Sequence, residues 1–290
     1  MTTLGVVFRP QFPPERLPGV VRAAEKSGLE ELWLWEDCFF EGGIASMAAA
    51  LAWTERLRVG IGILPLPLRN VAMTAMEAAT LDRLFPGRTV LGVGHGAQEW
   101  MAQVGARPAS PLTSMREHLV ALRALLRGER VSVSGEYVRL DEVALDWPPP
   151  AAPKVYVGAT RPKSLRLSGE LADGTIIDAQ HNADAVRRAR ALIDEGRAAA
   201  GRTEEHPLVV YLQATTGPDA AARLRRELEL WGNEAIPDLG AAGDAESVAQ
   251  AVRELVDAGA DSVILTHTAD EPDIEGFVRF TAEEVRPLVT

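Results

Sequence analysis

Adjacent carboxylates at Glu36 and Asp37 stand in an apolar frame of Trp33, Trp35 and Phe39. Such a pair suits acid–base or orienting work. His95 lies within Gly92-Val93-Gly94-His95-Gly96, where its neighbours cannot pack around an imidazole, so its ring is expected to face a ligand. Gly158-Ala159-Thr160, followed by Arg161 and Lys163, offers free backbone N–H groups at a helix start, a hydroxyl and cations. That combination suits a phosphate dianion; a capped helix with solvated basic side chains is the plainer alternative. Gly62, Ile63 and Leu64 end a run with glycines at positions 60 and 62, the composition of a strand that something approaches closely. Arg9, Gln11 and His181 are the substrate-facing candidates, with pairing to a carboxylate the alternative for Arg9.

Other chemistries fit less well. Glu36, Asp37, His95, Asp178, His181 and His267 would suffice chemically for a metal, but no His-x-His or His-x-x-x-His pair stands at ligand spacing, so no metal is expected. There is no Gly-x-Ser-x-Gly elbow for a serine nucleophile. Where a dinucleotide fingerprint would follow the first strand, the chain has Arg9-Pro10-Gln11-Phe12-Pro13.

The groups need a scaffold, and 290 residues with 47% hydrophobic content are enough for one large domain over positions 1–290. A formal charge of −11 argues against nucleic acid and an anionic membrane surface as partners. The lone Cys38 excludes an internal disulfide framework and fits a reducing cytosol. With no basic leader at the N-terminus and no spanning-length apolar run, a cytoplasmic protein is expected.

The chain alternates strand and helix. Strands are expected over Leu4 to Phe8, Leu32 to Trp35, Arg58 to Leu64 and Thr89 to Val93. Further strands are expected over Lys154 to Val157, Thr175 to Ile177, Leu208 to Leu212 and Ser262 to Leu265. Apolar residues at helical spacing fill the intervals, as in Val71, Ala75, Ala78, Ala79, Leu81 and Leu84 before the Pro86-Gly87 break. After the fourth strand, a helix over Thr113 to Leu126 and a small hairpin over Val131 to Val138 form an insertion. The last helix is expected over Ile274 to Val285. This pattern predicts a TIM (β/α)₈ barrel with a helix-hairpin insertion after strand four, an open doubly wound sheet being the alternative. A barrel acts at the C-terminal ends of its strands, where all the groups above fall, along with Gln213 and Thr266.

Ala78-Ala79-Thr80-Leu81-Asp82-Arg83-Leu84, then Gly87-Arg88 and Leu91-Gly92-Val93-Gly94, resembles the central signature of the bacterial luciferase-like superfamily. Ala24 to Glu30 with Leu32-Trp33, Pro153 to Thr160, Leu171-Ala172-Asp173-Gly174 and Ala258-Gly259-Ala260-Asp261 are similar to further elements of that superfamily, in order and over nearly the whole chain. The resemblance implies a TIM barrel that holds an isoalloxazine-type ring across its strand mouths, acts on a small-molecule substrate and forms a homodimer. In deazaflavin-dependent members a non-proline cis peptide ends strand three, and the matching bond is Gly62–Ile63. Glu36 matches the acidic residue after strand two, while Asp37 replaces the histidine that often follows. Glu36, Asp37 and His95 therefore all stay open as proton-handling groups.

The likeness across Val59 to Arg69 to methylene-tetrahydromethanopterin reductase-like members points to deazaflavin (F420) as cofactor, with FMN as the alternative. The expected activity is hydride transfer between F420 and an unidentified organic substrate. A reduced-FMN-dependent monooxygenase and a non-catalytic cofactor-binding barrel are the alternatives.

Overall fold

Each apolar strand and amphipathic helix has a face to bury, and this chain buries them by closing its strands into a barrel within a ring of helices. The computed structural model describes residues 2–289. The first half runs β1 (Thr3–Phe8), α1 (Leu17–Ser27), β2 (Glu31–Leu34), α2 (Gly43–Ala52), β3 (Arg58–Pro65), α3 (Val71–Leu84) and β4 (Thr89–Gly94). The insertion comprises α4 (Gln98–Gln103), α5 (Pro111–Leu126), β5 (Val131–Ser134) and β6 (Arg139–Val143). Alternation resumes with β7 (Val155–Gly158), α6 (Pro162–Leu171), β8 (Gly174–Ile177), α7 (Ala183–Ala199) and β9 (Leu208–Thr215). It ends with α8 (Ala220–Leu230), β10 (Ala241–Ala242), α9 (Ala245–Asp257), β11 (Ser262–Thr266), α10 (Ile274–Arg279) and α11 (Arg286–Val289).

The sheet order is β10-β9-β11-β1-β2-β3-β4-β7-β8, and β8 pairs back onto β9, which closes a parallel barrel; β10 lies outside it against β9. The fold is the expected TIM barrel, and strand alternation shows why the sequence reads that way. Leu208, Val210 and Leu212 of β9 pack outward into the layer shared with the helices, while Val209 and Tyr211 point inward beside Trp33 and Ile176. Both faces of the strands are thus buried, which is why they read as continuous apolar runs.

Several features differ from the sequence reading. The hairpin pairs β5 with β6, so Gly135-Glu136-Tyr137 belongs to its turn, closed by Gly135 N–H donating to the Val138 carbonyl. The last helix is not continuous: a π-helical stretch, Phe280–Val285, separates α10 from α11. Helix α4 was not expected, because its one buried side chain, Met101, leaves no apolar period to read.

Local capping explains where the helices around the mouth begin. Asn70 caps α3 by accepting from Ala72 N–H at 2.9 Å, and Asn182 caps α7 by accepting from Ala185 N–H at 3.0 Å. No described helix is long and apolar enough to cross a membrane.

Candidate active site

The barrel mouth opens into a cleft with two adjoining lobes, of about 350 and 250 Å³. Asp37, Gly62, Ile63, Trp100, Asp178 and Tyr211 line both. A larger hollow of about 730 Å³ lies at the opposite end, around Glu31, Arg58 and His206. That end holds the strand starts, where barrels keep stabilising rather than reacting groups, so the mouth is the site to read.

Between the lobes rises the end of β3. The Gly62–Ile63 peptide is cis, as the resemblance implied, and the β3–β4 register shifts between Ile61 and Leu64. The Cys38–Phe39 peptide after β2 is also cis. Gly62 and Gly158 line the cleft, and the space where their side chains would stand is already filled. A Cβ on Gly158 would sit 2.7 Å from Ile63 Cγ2, and one on Gly62 would collide with the Tyr211 hydroxyl. They make room for Ile63 and Tyr211, so Ile63 itself is presented to the cleft. The Tyr211 hydroxyl reaches the Gly62 carbonyl at 3.5 Å from inside the barrel, and burial raises its pKa, so it stays a neutral donor.

The neighbouring carboxyls have opposite surroundings. Glu36 accepts from Arg69 Nη1 at 2.7 Å and Nη2 at 2.8 Å, and from the Gly43 N–H at 2.7 Å. It therefore braces the β2 exit against the start of α2 and the β3–α3 connection. Replacing Glu36 with Gln should lower thermal stability by about 2 kcal/mol, since charge-assisted bonds are lost. A thermal melt checks this, and the pH dependence of turnover should keep its midpoint.

Asp37 makes no hydrogen bond through its side chain to any described residue. Burial pushes its carboxyl up to about 6, against the opposing pull of the Arg9 guanidinium. It can therefore give or take a proton near neutrality.

His95 lines the larger lobe, its Nε2 lying 3.2 Å from Ser164 Oγ. Burial lowers its pKa, against the pull of the Pro111 carbonyl, so the ring is a neutral hydrogen-bonding group. Gly96, Gly158, Ala159 and Thr160 also line that lobe, with Arg161 at the N-cap of α6. The pyrrolidine of Pro162 follows, so the anion-binding character there comes from Thr160, Arg161 and Ser164 more than from a full set of helix N–H groups. These residues suit a flat ring with an anionic tail: apolar Ile63, Ile176 and Trp100 on the walls, and hydroxyls with a cation at one end.

Other expected site residues fall off the larger lobe, and of these Arg9 alone lines the smaller one. Leu64 is buried in the outer core, and Gly94 is covered by Ile63. Lys163 is exposed on the first turn of α6, off the cleft lining. Gln11 accepts from Arg9 Nε at 3.2 Å, and His181 Nδ1 lies 2.8 Å from Asp178 Oδ1. Arg9 is 1% exposed and takes the alternative reading, a pairing with Glu227 at 2.7 Å, while also donating to the His267 carbonyl at 2.7 Å. His267 is wholly buried between Phe12 and Phe277, away from the cleft. Among the described residues, no group of three or more His, Cys, Asp or Glu side chains could hold a metal ion.

Trp100, Tyr211, Trp231, Glu227 and Arg69 were not singled out from the sequence. Tyr211 had a usable signal: a polar-tipped aromatic near the C-terminal end of an otherwise apolar strand.

The structure is thus a closed parallel barrel with an apolar-walled cleft over the shifted end of its third strand. The chain belongs to the luciferase-like monooxygenase family, whose model matches residues 3–236. It is 31% identical over 224 residues to a 5,10-methylenetetrahydromethanopterin reductase of Methanolobus tindarius, covering 76% of this chain and 67% of that one. It is also 31% identical over 245 residues to an F420-dependent hydroxymycolic acid dehydrogenase of Mycobacterium tuberculosis, covering 79% of this chain and 66% of the relative. The chain spans about two thirds or less of the length of the curated relatives it matches. An F420-dependent secondary alcohol dehydrogenase in complex with an F420-acetone adduct shares the fold, with a TM-score of 0.88 at 22% identity, over 100% of this chain and 99% of that one.

Proposed function

We propose that this chain is an F420-dependent oxidoreductase that moves a hydride between the deazaflavin and an organic substrate, with Asp37 handling the accompanying proton. The observation that carries the chemistry is Asp37 itself, a carboxyl shared by both lobes, free of hydrogen bonds and raised to about 6. Likeness to F420-dependent relatives supports the choice of cofactor. A bound deazaflavin supplies or accepts a two-electron hydride. Ile63, Ile176 and Trp100 exclude water from the ring's position. Thr160, Arg161 and Ser164 hold the phosphate end, and His95 orients against Ser164. Glu36 keeps the β2 exit fixed so that Asp37 faces the cleft.

Separate titration of F420 and FMN into the purified chain tests this reading. F420 should bind more tightly, and tighter FMN binding would overturn the assignment. The Thr160→Ala/Arg161→Ala variant should lose at least about tenfold in F420 affinity, since each charge-assisted bond contributes roughly 1.5–3 kcal/mol. Lys163→Ala should change affinity far less, and raising salt should shrink even that change.

A further inference from the structure

We infer that the smaller lobe is a substrate pocket for an uncharged cyclic carbonyl compound about the size of one fused bicycle, whose oxygen accepts from Gln213. The lobe lies beside the proposed ring position, so its use for substrate rests on the F420 reading above.

Size and walls come first. Trp35 after β2, Trp100 on α4, Leu228 on α8 and Trp231 at the end of α8 give the lobe mostly apolar surroundings. An apolar cavity of about 150 Å³ holds a benzene ring. The 250 Å³ of this lobe therefore takes a larger ring system. Flat indole walls suit a flat ligand through offset or edge contacts.

Polarity comes next. Gln213 is 6% exposed, lies on β9 and lines the lobe, and its Nε2 has no hydrogen-bond partner. A buried amide nitrogen left so is costly, and turning the Gln213 amide about its last torsion, so that its N–H meets a ligand oxygen in the lobe, removes that cost. A hydrocarbon of the same shape leaves it in place. Sites built around such a donor reject the analogue that lacks the acceptor.

Charge excludes most other classes. Arg9 is the lobe's one cationic side chain among the described residues, and Glu227 and the His267 carbonyl already engage it. Asp37, Asp178 and Glu227 also line the lobe. A carboxylate or phosphate ligand would add negative charge beside these groups with no free cation to meet it. A cationic group would be drawn to Asp37 and Asp178 but offers the Gln213 N–H no acceptor, and it gains little from Trp35, whose ring centroid already lies 5.7 Å from the Arg9 guanidinium. A neutral acceptor is what remains.

The test titrates indanone, indane and an indane carboxylate into the purified chain by calorimetry, with and without saturating F420. Indanone should bind, and both analogues should bind about tenfold more weakly or worse. Gln213→Met, similar in length but without the amide, should weaken indanone about tenfold and leave indane unchanged. Trp231→Ala, at the half-exposed end of α8, should weaken indanone and indane alike. If Gln213→Met does not fold by circular dichroism, the three-ligand comparison on the unaltered chain and Trp231→Ala decide. Carboxylate binding as tight as indanone, indanone affinity unchanged in folded Gln213→Met, or, where that variant does not fold, indanone affinity unchanged in Trp231→Ala, overturns the inference. A chain that binds indanone but not F420 loses the proposed activity and keeps the pocket. A chain that binds F420 but prefers the carboxylate loses only the pocket assignment.

Discussion

Asp37→Asn should lower turnover by about 10²–10⁴-fold, the usual contribution of a positioned acid or base, while F420 affinity changes little. The pH dependence carries the more specific expectation. In the reducing direction Asp37 must be protonated, so the rate should be level below about 6 and fall roughly tenfold per pH unit above it. In the oxidising direction the limb should invert, rising through the same midpoint. The variant should lose both limbs. A rate that keeps its limb in Asp37→Asn would pass the role to another group, with His95 next in line because it also lines the cleft.

The same substitution should act oppositely on stability. The folded carboxyl titrates at about 6, above the roughly 3.9 of an unfolded aspartate. Between those values the unfolded chain gives up its proton first, so stability falls as pH rises through that window and stays lower above it. A shift of this size corresponds to about 3 kcal/mol. Asp37→Asn removes the buried charge and should melt higher than the parent at pH 8, with the difference vanishing near pH 4. A variant that is less active and more stable separates a group kept for chemistry from one kept for packing.

The barrel was legible because each strand and helix reports its own burial through local periodicity, and the break at Pro86-Gly87 marks where a helix stops. The positions of Glu36, Asp37, His95 and Gly158 to Thr160 followed from the rule that barrels act at their strand ends. What each group does there was not legible. Glu36 and Arg69 lie 33 positions apart, and Arg9 and Glu227 lie 218 apart, so neither pairing leaves a trace in local pattern. Closure of the barrel creates them, and they decide that Glu36 braces while Asp37 stays free. The glycines were legible only in part for a related reason: composition shows that space is needed, but not that a distant side chain such as Tyr211 fills it. Trp100 and Trp231 come from a short helix and a helix end, where an exposed aromatic reads as surface.

The Arg9–Glu227 pair should give the largest stability effect in the molecule. Both side chains are buried, at 2% and 6% exposure, and the Nη1–Oε1 distance is 2.7 Å. Burial alone would raise Glu227, but Arg9, the Trp231 indole N–H and the Ala269 backbone N–H outweigh it and hold the carboxyl below its usual range. Removing one partner of such a pair leaves an uncompensated charge in the interior, so Glu227→Gln should cost about 3–5 kcal/mol in denaturant unfolding. Replacing both residues together, Arg9→Met with Glu227→Leu, should recover most of that loss, because the penalty belongs to the orphaned charge rather than to the missing attraction. The pair also reaches the chemistry, since Arg9 opposes the rise in the Asp37 pKa. With Glu227 neutral, Arg9 acts on Asp37 unbalanced, and the midpoint of the pH–rate limb should move to lower pH. Arg9→Met removes the cation and leaves Glu227 charged nearby, so its midpoint should move to higher pH. Opposite displacements by two destabilising substitutions cannot come from loosened packing. Displacements in the same direction, or none, would mean that the pair stabilises the barrel mouth without setting the protonation of Asp37.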